Sequence, residues 1–364
     1  MNSAVSISAP QVDREASRRM APVRAWLWLL AGLVLVMILV GGATRLTDSG
    51  LSITEWKPVT GALLPMSEEA WQREFDLYRQ IPQYELVNKG MTLAEFKSIY
   101  LWEWGHRQLG RFIGLAFFLP LAFFAWRGQV RGRLLLTIAA IGAMGGLQAT
   151  VGWIMVASGL KPGMTAVAPV KLMLHMLIAC GILGALVWVA TGLGRFASED
   201  APARLRRTAS LLIGFTVLQI ALGAIVAGLD AGLSYNTWPL MDGRLVPAAG
   251  TLFPITPWAE NFVESIALVQ FNHRLGAYVL LALALWHAVD ALRSAPGSAP
   301  ARRATLLAAL VVVQALVGIT TLLLVVPLWA ALLHQGLAVL LLGACVHHRR
   351  RLAEPAPFAV PARA

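Results

Sequence analysis

Charge and cysteine are both in short supply in this chain. Asp, Glu, Lys and Arg make up 13% of its 364 residues and hydrophobic residues 57%, where an average soluble domain carries roughly 25% charge. An ordinary water-soluble protein is thereby excluded. The 2 cysteines, Cys180 and Cys345, both fall inside apolar runs, so neither a disulfide framework nor a Cys-ligated metal centre is available. No polar stretch is long enough to hold a separate soluble domain, and strand-like alternation of polar and apolar residues is missing, which excludes a transmembrane barrel.

What is present is apolar length. A spanning helix needs about 20 mostly apolar residues, and eight such stretches occur, near 25–45, 108–126, 134–157, 170–192, 208–229, 273–293, 303–325 and 329–346. The 32 glycines and 13 tryptophans suit close helix packing and interfacial anchoring. The net charge of +11 does not signal nucleic acid, because the charges sort by membrane side. Arginines cluster near 14–24, 127–133, 195–207, 293–303 and 349–351, at one set of span ends, and most acidic residues lie at the other. By the positive-inside rule both termini are cytoplasmic and the connections 46–105 and 230–272 face outward. The segment before the first span is no secretory signal, since the run that follows is long enough to span and lacks a small-residue cleavage site. Asp13 and Glu15 weigh against a mitochondrial presequence.

An internal repeat organises the spans. Gly41, Asp48, Gly50, Leu51, Ser52, Trp56, Gly61 and Pro65 recur at a constant offset as Gly223, Asp230, Gly232, Leu233, Ser234, Trp238, Gly243 and Pro247. After a loop that is longer in the first half, His106-Arg107 matches His273-Arg274, Gln148 and Gly152 match Gln314 and Gly318, and His175 matches His334. Four spans per half is an even number, so the two halves share one orientation and the repeat is parallel. The expected fold is an all-α polytopic membrane protein of two tandem four-helix bundles. The first occupies 25–193 with its outer loop 46–105, and the second 208–348. A cytoplasmic tail 1–24, a linker 194–207 and a tail 349–364 complete the chain.

The outer loop of the first half carries helix signals of its own. Ser67-Glu68-Glu69-Ala70 reads as a helix start, and Thr92-Leu93-Ala94-Glu95 has the spacing of a capping box leading straight into the second span. A counterpart is expected from near Pro257 into the sixth span. Such helices either lie on the outer surface, anchored by Trp71, Trp102, Trp104 and Trp258, or form a lid over a buried ligand.

Of 7 histidines, four occupy repeated positions: His106 and His175, His273 and His334. Each lies at or just inside the outer end of an even-numbered span. A lone intramembrane histidine is commonly a hydrogen-bonded packing residue, but two facing histidines per bundle is also the arrangement that holds a haem between helices, one axial bond from each imidazole. Zinc wants a third and fourth ligand, and no Cys or carboxylate pair appears in both halves. His287, His347 and His348 have no repeat partners and read as packing or interfacial residues.

The strings GGATRLTDSGLSITEWKPVTG, EWGHRQLGR, LQATVGW, KLMLHM, FNHRLGAY and LLHQGLAVLL, spread over about 22–348, resemble the haem A synthase family. The resemblance implies an eight-helix enzyme that oxidises the C8 methyl of haem O to the formyl group of haem A, through a hydroxylated intermediate, for cytochrome oxidase. It further implies that His106 and His175 flank the substrate-haem site and that His273 and His334 ligate the iron of a resident haem b. Glu103 matches the family's acidic residue three positions before the first histidine. Several bacterial members carry paired cysteines in outer loops and this chain has none, which places it nearer the proteobacterial and mitochondrial branch. Implied partners are haem O, haem O synthase, the oxidase assembly machinery and the lipid bilayer of a bacterial inner membrane. The basic cytoplasmic face suits a ferredoxin-like electron donor, and the small-residue run 142–146 leaves a homo-oligomer open.

The repeat also exposes broken symmetry. Glu103 aligns with Gln270, and a carboxylate three residues before His106 can relay protons where an amide cannot. Arg45, Lys57, Arg111 and Lys171 stand opposite Ala227, Pro239, Tyr278 and Ala330, as site charges or as residues facing water and headgroups. Arg107 and Arg274 are shared and are assigned to haem propionates, whose carboxylates match a guanidinium fork. A diheme electron carrier would use the same four histidines without chemistry on the porphyrin. A secondary transporter would explain the repeat but not histidines confined to one leaflet. A reporter fused after Arg351 should report as cytoplasmic, and one inserted in 80–90 as external; the reverse pattern would move all four histidines to the inner side.

Overall fold

The computed structural model describes residues 9–57, 60–193 and 201–352. Among them the regular structure is helical throughout, with one isolated bridge between Met241 and Arg244. The helices are α1 (Ala9–Leu46), α2 (Glu68–Tyr78), α3 (Pro82–Leu86), α4 (Leu93–Trp126), α5 (Gly132–Gly159), α6 (Pro169–Gly192), α7 (Ala203–Gly228), α8 (Ala249–Leu252), α9 (Asn261–Glu264), α10 (Ile266–Ser294), α11 (Ala299–Leu323) and α12 (Leu328–Arg351). Eight of these, α1, α4 to α7 and α10 to α12, are long and apolar enough to cross a membrane.

The helices overhang the apolar stretches that mark them. Residues 9–24, expected as tail, open α1, and His347 to Arg351 end α12. A nucleated helix keeps its hydrogen bonds as it leaves the bilayer, so hydropathy marks only its middle. Of the expected linker 194–207, residues 194–200 lie outside the described residues, as do 1–8 and 353–364 of the tails, and α7 begins at Ala203.

Both start signals in the first outer loop are realised. Ser67 caps α2 by accepting from the Ala70 amide, and Thr92 with Glu95 forms the reciprocal box that starts α4, which runs unbroken from the outer loop to Trp126. The second half departs from expectation. Its counterpart is interrupted at Ser265, whose ψ of 110° ends α9 and whose hydroxyl then caps α10 at the Leu268 amide. Asn261 reinforces the break by donating to the Ile255 and Trp258 carbonyls at 2.8 and 2.9 Å.

Helices α1, α6, α7 and α12 form the central seam: α1 packs on α6 and α12, and α7 on the same two. Helix α4 lies against α1, α5 against α6, α10 against α7, and α11 against α10 and α12. Glycine tightens the seam at one point. Gln335 Nε2 donates to the Ile38 carbonyl at 2.7 Å across Gly42, where a Cβ would overlap the Gln335 amide. Packing is dense in the halves of the helices remote from the repeated histidines, where Leu27, Leu30, Ile138 and Leu186 fill one core and Leu205, Leu212, Leu307 and Leu341 another. Towards the other ends it opens: no residue from Trp104 to Ala116 on α4 or from Val312 to Thr320 on α11 is fully buried.

The outer loop makes a third core from Leu51, Ile53, Phe75, Tyr78, Phe96 and Tyr100. Trp71 closes on Tyr100 edge-on at 5.0 Å, and Trp104 packs beside it, whereas Trp102 and Trp258 remain exposed. Thr92→Ala should remove the box that joins this loop to α4, at a cost of about 1 kcal/mol. Hydrogen exchange should rise at the first amides of α4 and stay unchanged in the membrane-embedded turns.

Candidate functional site

All four repeated histidines stand on glycine. His106 of α4 lies over Gly41 of α1, His175 of α6 over Gly152 of α5, His273 of α10 over Gly223 of α7, and His334 of α12 over Gly318 of α11. A Cβ at those glycines would meet the rings at 3.1, 2.8, 3.0 and 2.6 Å respectively. The missing side chains therefore let each imidazole lie close against the neighbouring backbone, in the loosely filled outer third of the molecule.

In the second half His273 and His334 face each other, ring centroids 6.3 Å apart and planes at 81°. An imidazole nitrogen binds a first-row metal at about 2 Å, and the ring centre lies about 1 Å behind it, so two imidazoles trans on one iron have centroids about 6 Å apart. The pair has that separation, so the donor set fits a haem held between the two imidazoles.

Glutamines attend the rings. Gln314 Nε2 lies 3.1 Å from His334 Nδ1 and donates to the His334 carbonyl at 3.0 Å. Gln219 Nε2 lies 3.1 Å from His273 Nδ1 and donates to the His273 carbonyl at 2.9 Å. In the first half Gln148 Nε2 meets His175 at Nε2, 3.1 Å away, and His175 Nδ1 is buried without a partner. The Oε1 atoms of Gln148, Gln219 and Gln314 are likewise buried without a donor.

Glu103 is buried three residues before His106 and turned to the loop. Its Oε2 accepts from the Ser52 hydroxyl at 2.8 Å and the Ile53 amide at 2.7 Å, and its Oε1 from Arg107 at 2.5 Å. Arg107 also donates to the Ile53 and Glu55 carbonyls at 2.9 and 3.2 Å. The second half repeats the plan without the charge. Gln270 donates to the Ala231 and Ser234 carbonyls and accepts from Arg274 at 2.8 Å, while Arg274 also serves the carbonyls of Tyr235, Thr237 and Leu240. Both arginines, expected at propionates, are in this structure turned to the loop carbonyls.

The other first-half charges of the outer loop are also engaged. Arg45 bridges the halves, donating to Asp230 at 2.7 Å and to the Ala227 carbonyl at the end of α7 at 2.9 Å. Burial raises the Asp48 carboxyl above its ordinary range, with Arg45 opposing and Asp230 adding to the effect. Lys57 pairs with Glu55 and Glu74, which raise its ammonium above the usual value against the cost of burial. Arg111 donates to the Lys57 carbonyl at 3.1 Å. At the opposite end of the helices His287 and His348 bond each other through Nε2 at 2.9 Å, and Thr208 meets His287 Nδ1 at 2.6 Å.

Gln219 is a site residue that the motifs do not mark, although the repeat contains the signal: its equivalent in the first half is Met37, so the polar contact belongs to one half alone.

A family model described as cytochrome oxidase assembly protein matches residues 24–346. The chain belongs to the cytochrome oxidase assembly family. It is 63% identical over 342 residues to a heme A synthase of Methylobacterium sp. strain 4-46, covering 94% of this chain and 95% of that one. Similar relatives named heme A synthase come from Azorhizobium caulinodans, 55% identical over 91% of this chain and 95% of the relative, and Bradyrhizobium sp. strain ORS 278, 52% identical over 95% and 96%. All these relatives are bacterial, in keeping with the branch that the sequence resemblance implied, and membership places the glycine-seated histidines in an enzyme of haem A biosynthesis.

The seats give a direct test of the site in this family member. Gly318→Ala should push His334 off its position and lower bound haem in the purified protein, read from the absorption spectrum. Gly145→Ala, with open space around it, should leave the spectrum unchanged. Equal haem content in both would show that the ring does not depend on its seat.

Proposed function

We propose that this chain is a haem A synthase that oxidises the C8 methyl of haem O to a formyl group, with substrate haem in the first half and haem b resident in the second. The observation that carries the reading is the facing pair His273 and His334, 6.3 Å between centroids, in a half whose outer space is loosely filled. Family membership supports the chemistry, and the broken symmetry between halves supports the division of labour.

The resident haem, when bound, supplies one-electron redox chemistry beside the substrate half. His273 and His334 would be its axial ligands, and His106 and His175 would flank the substrate iron. The methyl passes to an alcohol and then, by a second oxidation and loss of water, to the aldehyde; with dioxygen as oxidant and two electrons and two protons supplied from the donor side, each oxidation inserts one oxygen atom and reduces the other to water. Each oxidation moves protons as well as electrons, so the substrate half needs a group that exchanges them. We assign that exchange to Glu103 Oε2, 2.8 Å from the Ser52 hydroxyl, with Arg107 stabilising the carboxylate from the other oxygen. In the second half the Gln270 amide instead donates to the backbone carbonyl of Ser234 at 2.6 Å, a hydrogen bond that cannot deliver a proton. Arg107 and Arg274 hold the outer loops over the two haem spaces, and a propionate would have to share them with the loop carbonyls. Cytoplasmic termini with haems near the outer face, and a ferredoxin-like donor at the basic inner surface, complete the proposal.

Expression with a haem O source, followed by extraction and identification of the haems, tests the activity; haem O recovered unchanged would overturn it. Glu103→Gln gives the first half the second half's residue, and Gln270 shows that an amide can keep the arginine contact. The variant should fold and retain haem b while haem A formation falls by about 10² or more, with haem O or its alcohol accumulating. Haem A made at the parental rate would reduce Glu103 to a clamp for the loop.

A further inference from the structure

An enzyme that carries one haem as cofactor and another as substrate must hold the first permanently and let the second go. Resting on the reading above, the question is which side chains make two similar histidine pairs unequal. The glycine seats do not, since all four rings have one. Gln148 and Gln314 do not by their presence, since they occupy equivalent positions. The difference lies under the other ligand of each pair.

Under His273 the amide of Gln219 fits between helices because α10 has Gly276 there; a Cβ on Gly276 would overlap Gln219 Oε1. The amide grips the His273 carbonyl at 2.9 Å and lies 3.1 Å from Nδ1, with Oε1 buried and lacking a donor. Gln219 Nε2 also lies 3.4 Å from His273 Nε2, so one amide holds the backbone and the ring of His273 together and fixes the orientation of the imidazole on α10. The first half has lost both parts of this device. Met37 stands where Gln219 does, and its methyl lies against Gly110 of α4; Leu109 replaces Gly276. The second ligands differ in the same direction: Gln314 holds both the ring and the carbonyl of His334, whereas Gln148 meets His175 at Nε2 and leaves Nδ1 unpartnered.

We infer that Gln219 and Met37 are positioning residues that set haem retention: the glutamine locks the second-half ligand for permanent coordination, and the methionine leaves the first-half ligand free to release its haem. Outer partners of this kind are typically worth about 10- to 100-fold in metal affinity. An apolar thioether gives the first half no such contribution, and Met37 keeps the helix contact without fixing the ring.

Purified full-length protein loaded with haem b is challenged with excess apomyoglobin, and the rates of haem transfer and the midpoint potential are measured. Gln219→Met should release the second-half haem about 10- to 100-fold faster and shift its potential, because the imidazole is no longer held in one orientation; a purely structural role would leave the potential of the remaining bound haem unmoved. The converse exchange, Met37→Gln with Leu109→Gly, should slow release from the first half. Parental rates and potential in Gln219→Met, with His273→Ala emptying the second half, overturn the inference and spare the ligand assignment. Full haem retention in His273→Ala overturns the ligand assignment and the inference with it. Should Gln219→Met fail to fold, the double exchange decides: first-half release at the parental rate overturns the inference.

Discussion

Everything at the outer end of this molecule depends on a close contact between an imidazole and a helix backbone. A histidine inside the hydrocarbon is tolerated where its nitrogens have partners and its ring has room, and a neighbouring helix bearing any side chain at the crossing would deny the room. Glycine at 41, 152, 223 and 318 supplies it four times. Those glycines fix how closely α1 approaches α4, α5 approaches α6, α7 approaches α10 and α11 approaches α12. The distance between His273 and His334 then follows from the helix packing beneath them, because the dense cores at the far ends hold the helices.

The loops complete the site by using the same helices from above. Arg107 and Arg274, each one residue after a repeated histidine, pin the chain that leaves α1 or α7 to the helix that bears the histidine, through several bonds to carbonyls and to Glu103 or Gln270. Histidine position and loop position are thereby coupled within one helical turn. Arg45 adds a link between halves, joining the end of α1 to the end of α7 at Asp230. Asp48 and Asp230, equivalent in sequence, both take φ near +50° at these helix ends, a conformation that Asn and Asp adopt at lower cost than most residues.

The two halves are similar, and their symmetry is broken in few places. One break is electrostatic, a carboxylate against an amide in the same clamp. Another lies in hydrogen bonding, an amide against a thioether under the first histidine of each pair. Under the proposed function, these breaks let one helical framework serve a permanent haem and an exchangeable one.

Properties that lie along the chain were legible from the chain alone. The eight spans are visible because apolar length is local, and the asymmetry of charge because arginine gathers at one set of span ends. The four histidines stand out because the repeat sets them apart from His287 and His348, which bond each other in the opposite end of the bundle. Capping at Ser67 and Thr92 is local for the same reason. Contacts across helices were not legible, since they depend on the rotation and depth of two elements distant in sequence. The tertiary structure alone decided that Gly41 lies beneath His106, that Gln219 reaches His273 over Gly276, that Arg45 crosses to Asp230, and that Glu103 is held by Ser52 and Ile53. A residue's type and spacing declare what it can bond; which partner comes within about 3 Å is settled only when the helices pack.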